Sequence, residues 1–349
     1  MRFYIDADLG HIVWGWVVPD NPIAISRVSV VADGERIGEI PARFTDDALR
    51  SAGWHSTGQC RFVIEEPEFP GLAEVRRLEI YDVETNILIY RRVPDENLIR
   101  KKVVLVNTSI NPETVIQTAM FDHFQQSYFG IGKFSEEIAR VLFESPFLTS
   151  SFQTGAIILP RFEGFLQGED TLTTLLVHDP FVEMATRLLW LQARAPVAAD
   201  PARRWRLGPL TDAAEFMAEI DLDDQKGLKR LFRMLPESAY RLLYNPLTRQ
   251  CGTKLPDDRL HPGNSIVAIE VLSRVGIVGH RSYFKAFMTT LFDHLGIQAP
   301  APTPEPIPEP VLALAERLRA TKVAQEMLVF DIAMSDAVLN AVSKGWTNA

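Results

Sequence analysis

The residues best placed for chemistry lie between Lys102 and Phe124. Val103-Val104-Leu105-Val106 reads as a buried parallel strand, a polar turn runs from Asn107 to Glu113, and a helical pattern starts near Thr114. Strand, turn and helix is the layout that cradles phosphate in many α/β proteins, because backbone N–H groups and the positive helix end converge on the anion. Such a turn usually adds a Lys and small residues that let the backbone approach the phosphates. This turn has no Gly and no Lys, and it carries the acidic Glu113. The scaffold of an anion site is present without its chemistry; the competing reading is an ordinary turn in which Pro112 enters a helix. Other candidates are sparse. No G-x-S-x-G elbow, H-E-x-x-H or G-x-G-x-x-G occurs. His261 and His280 lack a third ligand at metal spacing and read as structural or surface histidines. Asp122-His123 is a possible acid/base pair on the first helix, although adjacent helical residues point in different directions.

The elements that would position these residues follow from the rest of the chain. At 349 residues, 46% hydrophobic and 23% charged, it is long enough for two folded domains. A net charge of −9 argues against a nucleic-acid surface. Cys60 and Cys251 lie far apart, which suits a reducing compartment. MRFYIDADLG lacks the features of a signal peptide, and no run of 18 apolar residues suggests a membrane span. A cytoplasmic protein is expected.

Residues 1–95 read as short strands: His11 to Val18, Arg27 to Ala32, Glu35 to Ile40, Gln59 to Glu65, Val75 to Tyr81 and Asn86 to Arg92. Asp33-Gly34 is a hairpin signal. Ala42 to Ala52 is a short helix or a loop crossing between sheets. This spacing predicts an antiparallel β-sandwich, bounded at Pro94 to Asn97. From residue 100 onward strands alternate with helices, which predicts a parallel sheet covered on both faces. Phe134 to Phe143 is helical, Phe152 to Leu159 a strand, Thr171 to Val177 a strand and Phe181 to Gln192 a helix, with Val182, Ala185, Leu188 and Leu189 on one face. The basic cluster Arg203 to Arg206 and the acidic Asp221 to Asp224 read as solvated surface. Ile266 to Val275 reads as a helix, Gly276 to Gly279 as a strand, and Arg281 to Leu295 as a helix with an apolar stripe. Pro300 to Pro310 is an extended spacer. Val323, Met327, Phe330, Met334 and Val338 predict one buried C-terminal helix.

Two resemblances sharpen this picture. Gly15-Trp16, Asp20, the hairpin Val30 to Gly38, Ala42-Arg43 with Asp46 or Asp47, and Gly58 before Phe62 resemble the small β-sandwich module attached to bacterial glycosyltransferases and other surface-polysaccharide enzymes. That module implies docking or carbohydrate binding, with Trp14, Trp16 or Trp54 either stacking on sugar rings or filling the core. Across residues 100–345, Val177-His178-Asp179-Pro180, Asn245 with Thr248-Arg249 and Gly252, Val278-Gly279 to Gly296, and Phe330 to Met334 resemble, in order, motifs of the carbohydrate sulfotransferases in their 2-O-sulfotransferase-like branch.

The second resemblance implies a P-loop-NTPase-like α/β domain over 100–349, the donor 3′-phosphoadenosine 5′-phosphosulfate, and a sugar hydroxyl as acceptor. The donor contacts it implies are Asn107, Thr108, Thr114, His178, Thr186 and Arg249. The family's donor loop is degenerate here. Ile110 stands where it has Lys, Pro112 and Glu113 where it has glycines, His178 where it has Arg, and Gly155-Ala156 where its base is expected. The expectation is therefore a diverged protein of bacterial surface-polysaccharide metabolism that binds a glycan, a nucleotide or a partner enzyme without sulfuryl transfer. The alternatives are an active sulfotransferase with a rebuilt donor site, in which His178, Thr186 and Arg249 hold the donor, and a scaffold for polysaccharide-assembly enzymes; tight nucleotide binding would mean that Lys101, Lys102 or an Arg such as Arg249 has taken over the phosphate.

Overall fold

The computed structural model describes residues 1–19, 21–93, 98–146 and 148–346. The expected boundary at Pro94 to Asn97, and Asp20 of the module motif, lie outside the described residues. The chain forms two compact units. One comprises Met1–Leu105, Gln117–Gly155 and Phe165–Leu172; the other comprises Val106–Ile116, Ala156–Gly164 and Thr173–Ala349.

The N-terminal strands are β1 (Arg2–Asp8), β2 (Ile12–Val18), β3 (Arg27–Ala32), β4 (Glu35–Pro41), β5 (Phe44–Thr45), β6 (Gln59–Glu65), β7 (Leu78–Asp82) and β8 (Leu88–Arg91). They form two four-stranded antiparallel sheets, ordered β1-β2-β6-β5 and β4-β3-β7-β8. In β6, Cys60, Phe62 and Ile64 are buried while the residues between them are not, which is the period of a one-sided strand. Asp33 and Gly34 both have positive φ, 49° and 88°, as the tight turn between β3 and β4 requires. The stretch 42–52 resolves into β5 and a helix, α1 (Asp47–Ser51), whose first turn is capped by Asp46. The strand β1 is not visible in the sequence, because Phe3, Tyr4 and Ile5 are consecutive rather than alternating. Trp16 is buried against Val18 and Cys60. Trp54 packs partly buried beside it, with ring centroids 6.0 Å apart.

Five strands form an all-parallel sheet: β9 (Lys102–Val106), β10 (Gln126–Phe129), β11 (Ser151–Gly155), β12 (Thr171–Val177) and β13 (Ile277–His280), in the order β10-β11-β9-β12-β13. The expected neighbours β9 and β12 are adjacent, and α2 (Thr114–Phe121) starts at Thr114. Both strands are buried without alternation because helices surround the sheet. β10 escapes a sequence reading because Gln126 and Ser127, both buried, resemble a loop. The strand expected over Phe152 to Leu159 is shorter. It ends at Gly155, and Leu159 opens the short helix α4 (Leu159–Phe162), after α3 (Glu136–Glu144).

The remaining helices are α5 (Pro180–Gln192), α6 (Ala195–Ala199), α7 (Thr211–Met217), α8 (Gln225–Arg233), α9 (Glu237–Leu243), α10 (Pro246–Gly252), α11 (Gly263–Leu272), α12 (Phe284–Leu295), α13 (Glu309–Arg319), α14 (Lys322–Met327) and α15 (Val329–Trp346). Asp179 caps α5, accepting from Phe181 N and Val182 N, with Pro180 in the first turn. Met184, Leu188 and Leu191 of α5 pack with Leu314 and Leu318 of α13 and with α7, α8 and α9 in one apolar core. Each fully buried Leu there contributes about 1.5–3 kcal/mol. The single C-terminal helix is corrected to two, α14 and α15, broken at Leu328. Val323 is exposed, and the buried face instead carries Ala324, Met327, Asp331, Met334 and Ser335.

Candidate functional site

Among the residues that follow β9, β12 and β13, several converge on one cleft of about 350 Å³. Parallel α/β sheets bind ligands beyond the carboxyl ends of their strands. The loop after β9 supplies Ser109 and Asn111 to Val115, β12 is followed by His178, Asp179 and α5, and β13 leads into Arg281 and Ser282. Pro304 to Pro308 forms a further wall. Extended, proline-rich backbone suits that role because it needs no internal hydrogen bonds.

Three N–H groups of the loop after β9 are taken by the protein itself. Ile110 N–H donates to Glu183 Oε1 (2.8 Å), Asn111 N–H to Ser109 Oγ (3.3 Å) and Thr114 N–H to the Pro112 carbonyl (3.0 Å). Arg187, one turn after Glu183 on α5, donates to Glu183 (2.7 Å) and to the carbonyls of Thr108 and Leu242 (both 3.0 Å). This buried ion pair clamps the loop from beneath. Glu113 faces the cleft and shares a 2.6 Å hydrogen bond with His178 Nε2, while Arg281 Nη1 lies 3.9 Å from its other oxygen. Glu305 accepts from the Thr114 hydroxyl (2.9 Å), and Arg281 Nη2 donates to the Glu305 carbonyl (2.6 Å), so two contacts hold the proline-rich wall.

Behind this surface, Ser282 N–H donates to His280 Nδ1 (3.2 Å), which leaves the ring proton on Nε2, directed at Ser335 Oγ 3.2 Å away. Burial, and to a smaller extent the neighbouring His178, holds His280 below the usual imidazole range and favours this neutral form.

The six donor contacts implied by the sequence do not all meet. Thr114, His178 and Thr186 line the cleft, although the Thr186 hydroxyl donates to its own helix at Val182 O (2.8 Å). Thr108 is buried and donates to the Leu176 carbonyl (2.6 Å). Asn107 donates to Asn111 O (3.0 Å), and its carbonyl accepts from Gln250 (2.9 Å). Arg249 donates to the carbonyls of Pro256 (3.1 Å) and Asp258 (2.8 Å) and does not line the cleft. Lys102 donates to the carbonyls of Phe143 (2.8 Å) and Ser145 (2.7 Å). Asp122 and His123 lie in the turn after α2 and are not among the lining residues. Among the described residues, no group of three His, Cys, Asp or Glu could hold a metal ion.

Glu183, Arg187, Arg281 and Glu305 were not legible as site residues. The first two did leave a signal: opposite charges four positions apart within the apolar run FVEMATRLLWL, where a solvated pair would not be expected. Two sequence motifs also have a plain structural role. Asp331, at the start of α15, accepts from Leu247 N, Thr248 N and the Thr248 hydroxyl (2.7–2.9 Å), and Asn245 Oδ1 accepts from Phe330 N and Asp331 N. Each residue caps the other's helix.

Four carboxylates, Glu113, Asp179, Glu183 and Glu305, face the cleft with Arg281. The lining favours a neutral or cationic ligand over a polyanion. A scan against protein-family models finds no match for this chain, and a search of curated proteins finds none either, so the reading of the cleft rests on its own residues.

Proposed function

We propose that this chain is a diverged relative of the carbohydrate sulfotransferases, a P-loop-like domain preceded by a β-sandwich module. In this reading it binds a neutral glycan in surface-polysaccharide metabolism and does not transfer sulfuryl groups. One observation carries the proposal: where a donor phosphate would need free N–H groups and a Lys, Ile110 N–H is taken by Glu183, and Glu113 projects into the cleft. A phosphate charge about 4 Å from an unpaired carboxylate meets repulsion of about 4 kcal/mol at an effective dielectric near 20. His178 and Arg281 offset part of that for Glu113, as Arg187 does for Glu183 and Arg319 for Asp179, while Glu305 adds to it. Hydroxyl-rich neutral sugars suit a wall of accepting carboxylates, since carboxylates bind O–H donors strongly.

Calorimetry with 3′-phosphoadenosine 5′-phosphate at neutral pH tests this reading, and no heat of binding is expected. A Kd of about 10 μM or tighter would overturn it. An active transferase would then take first place, with Thr114, His178, Thr186 and Arg281 of the cleft holding the donor in place of the expected Arg249.

A further inference from the structure

The carboxylates of the cleft are already committed. Glu113 is bonded to His178, and Glu183 to Ile110 N–H and Arg187. Asp179 holds the first N–H groups of α5 and Arg319, and Glu305 holds the Thr114 hydroxyl. Each holds a protein donor, while Glu113 and Glu305 keep one oxygen that makes no hydrogen bond among the described residues and can accept from a sugar hydroxyl. His280 is enclosed and engaged at both ring nitrogens. His178 differs from all of these. Its Nε2 is bonded to Glu113, while its Nδ1 makes no hydrogen bond among the described residues and is not one of the enclosed polar atoms lacking a partner. His178 lines both the cleft and the small hollow beneath it, and this nitrogen is left to solvent there without a protein partner among the described residues. A carboxylate that orients an imidazole whose second nitrogen is free is the arrangement of a general base. No hydroxyl or thiol of the described residues is bonded to that nitrogen, so the proton it takes comes from water. Arg281 lines the same cleft, its Nη1 3.9 Å from the Glu113 oxygen that His178 does not use, and it is the cation the cleft has to offer a developing oxyanion.

We propose that the cleft hydrolyses an ester carried by a neutral sugar, with His178 as the catalytic base and Glu113 as its positioning residue. The proposal rests on the preceding reading that a neutral glycan occupies the cleft. His178 Nδ1 takes a proton from water as the water oxygen bonds to the acyl carbon, and the carbonyl electron pair moves onto the oxygen beside Arg281. When that pair returns, the bond from the acyl carbon to the sugar oxygen breaks, and the imidazolium gives its proton to the departing sugar oxygen. The products are the free sugar hydroxyl and a carboxylic acid, and no oxidant or reductant is consumed.

The test is acetate release from glucose pentaacetate by the full chain. The protein is expected to release acetate, and His178→Ala to lower kcat/KM by about 10²- to 10⁴-fold. Added imidazole should restore part of the loss once its own background is subtracted, a rescue that a merely structural role would not show. His178→Gln, which keeps a hydrogen-bonding group toward Glu113, guards against misfolding, and its circular dichroism should match that of the parent. Glu113→Gln should lower kcat more than it changes KM. Acetate release no faster than in His178→Gln, or a loss in His178→Ala that imidazole does not rescue, would overturn the proposal. Calorimetric binding of glucose pentaacetate without hydrolysis would overturn the catalytic step and leave glycan binding standing. Tight binding of 3′-phosphoadenosine 5′-phosphate would overturn both.

Discussion

At the scale of single residues, the most consequential polar group outside the cleft is Asp331. Its carboxylate is 2% exposed and accepts three hydrogen bonds from the first turn of α10. Burial pushes its carboxyl up, and the bonds from Thr248 and Leu247 oppose that push. Asp331→Asn would set an NH₂ group against donors that need an acceptor, leaving a buried N–H or O–H unpaired. The expected cost is about 1–3 kcal/mol of unfolding free energy, measured as a lower urea midpoint with the denaturant slope unchanged. A midpoint within error of the parent would show that Asn245 and backbone packing hold α10 and α15 without the carboxylate.

At the scale of elements, Gly252 shows why a helix end can demand a residue without a side chain. It closes α10 where this helix crosses α11, and an added Cβ would stand 2.3 Å from the Asn264 carbonyl oxygen. That oxygen is backbone and cannot swing away. Asn264 also donates its side-chain N–H to the Gly252 carbonyl (2.7 Å), which fixes the crossing from the other side. Gly252→Ala is expected to destabilise by about 1–3 kcal/mol through overpacking, read as a drop in thermal midpoint. An unchanged midpoint would mean that the α10–α11 contact opens at little cost. The proline-rich segment belongs to the same scale. The spacer expected over Pro300 to Pro310 carries no regular structure through Pro308 and gives way to α13 at Glu309, while Glu305 on Thr114 and Arg281 on the Glu305 carbonyl turn it into a wall of the cleft.

At the scale of the whole molecule, an ion pair between Arg92 and Asp8 staples the two antiparallel sheets. Arg92, just after β8, donates to both oxygens of Asp8 in β1 and to the carbonyls of Gly10, Leu72 and Val75. Burial raises the Asp8 carboxyl, but bonds from Arg92, Gly10 N–H and Tyr90 together outweigh it and leave the group below its ordinary value. A depressed carboxyl contributes stability that is complete above its unfolded value and is lost as pH falls through its folded value. The parent should therefore lose stability over a window that opens near the ordinary carboxylate value of 3.8 and runs downward from it. Asp8→Asn should start less stable at neutral pH and lose less over that window, as followed by urea midpoints across pH. Parallel losses in the two proteins would show that other carboxylates dominate acid unfolding.

The sequence by itself determined what depends on near neighbours. Alternation set β6, the Asp-Gly pair set the turn between β3 and β4, the β-branched run set β12, and Asp179-Pro180 set the start of α5. Each of these signals acts within a few residues, so it survives without knowledge of the fold. The same locality showed that the turn after β9 lacks Lys and Gly. Only the tertiary structure decided what replaced them. Glu183 comes from α5, Arg281 follows β13 and Glu305 lies in a proline-rich stretch, and these positions meet because β9, β12 and β13 are neighbours in the parallel sheet. The same order parted Arg249 and Thr108 from the cleft that Thr114, His178 and Thr186 line. Sequence spacing carries no record of that crossover order, because parallel strands are joined through helices and loops of variable length and pair with partners far along the chain.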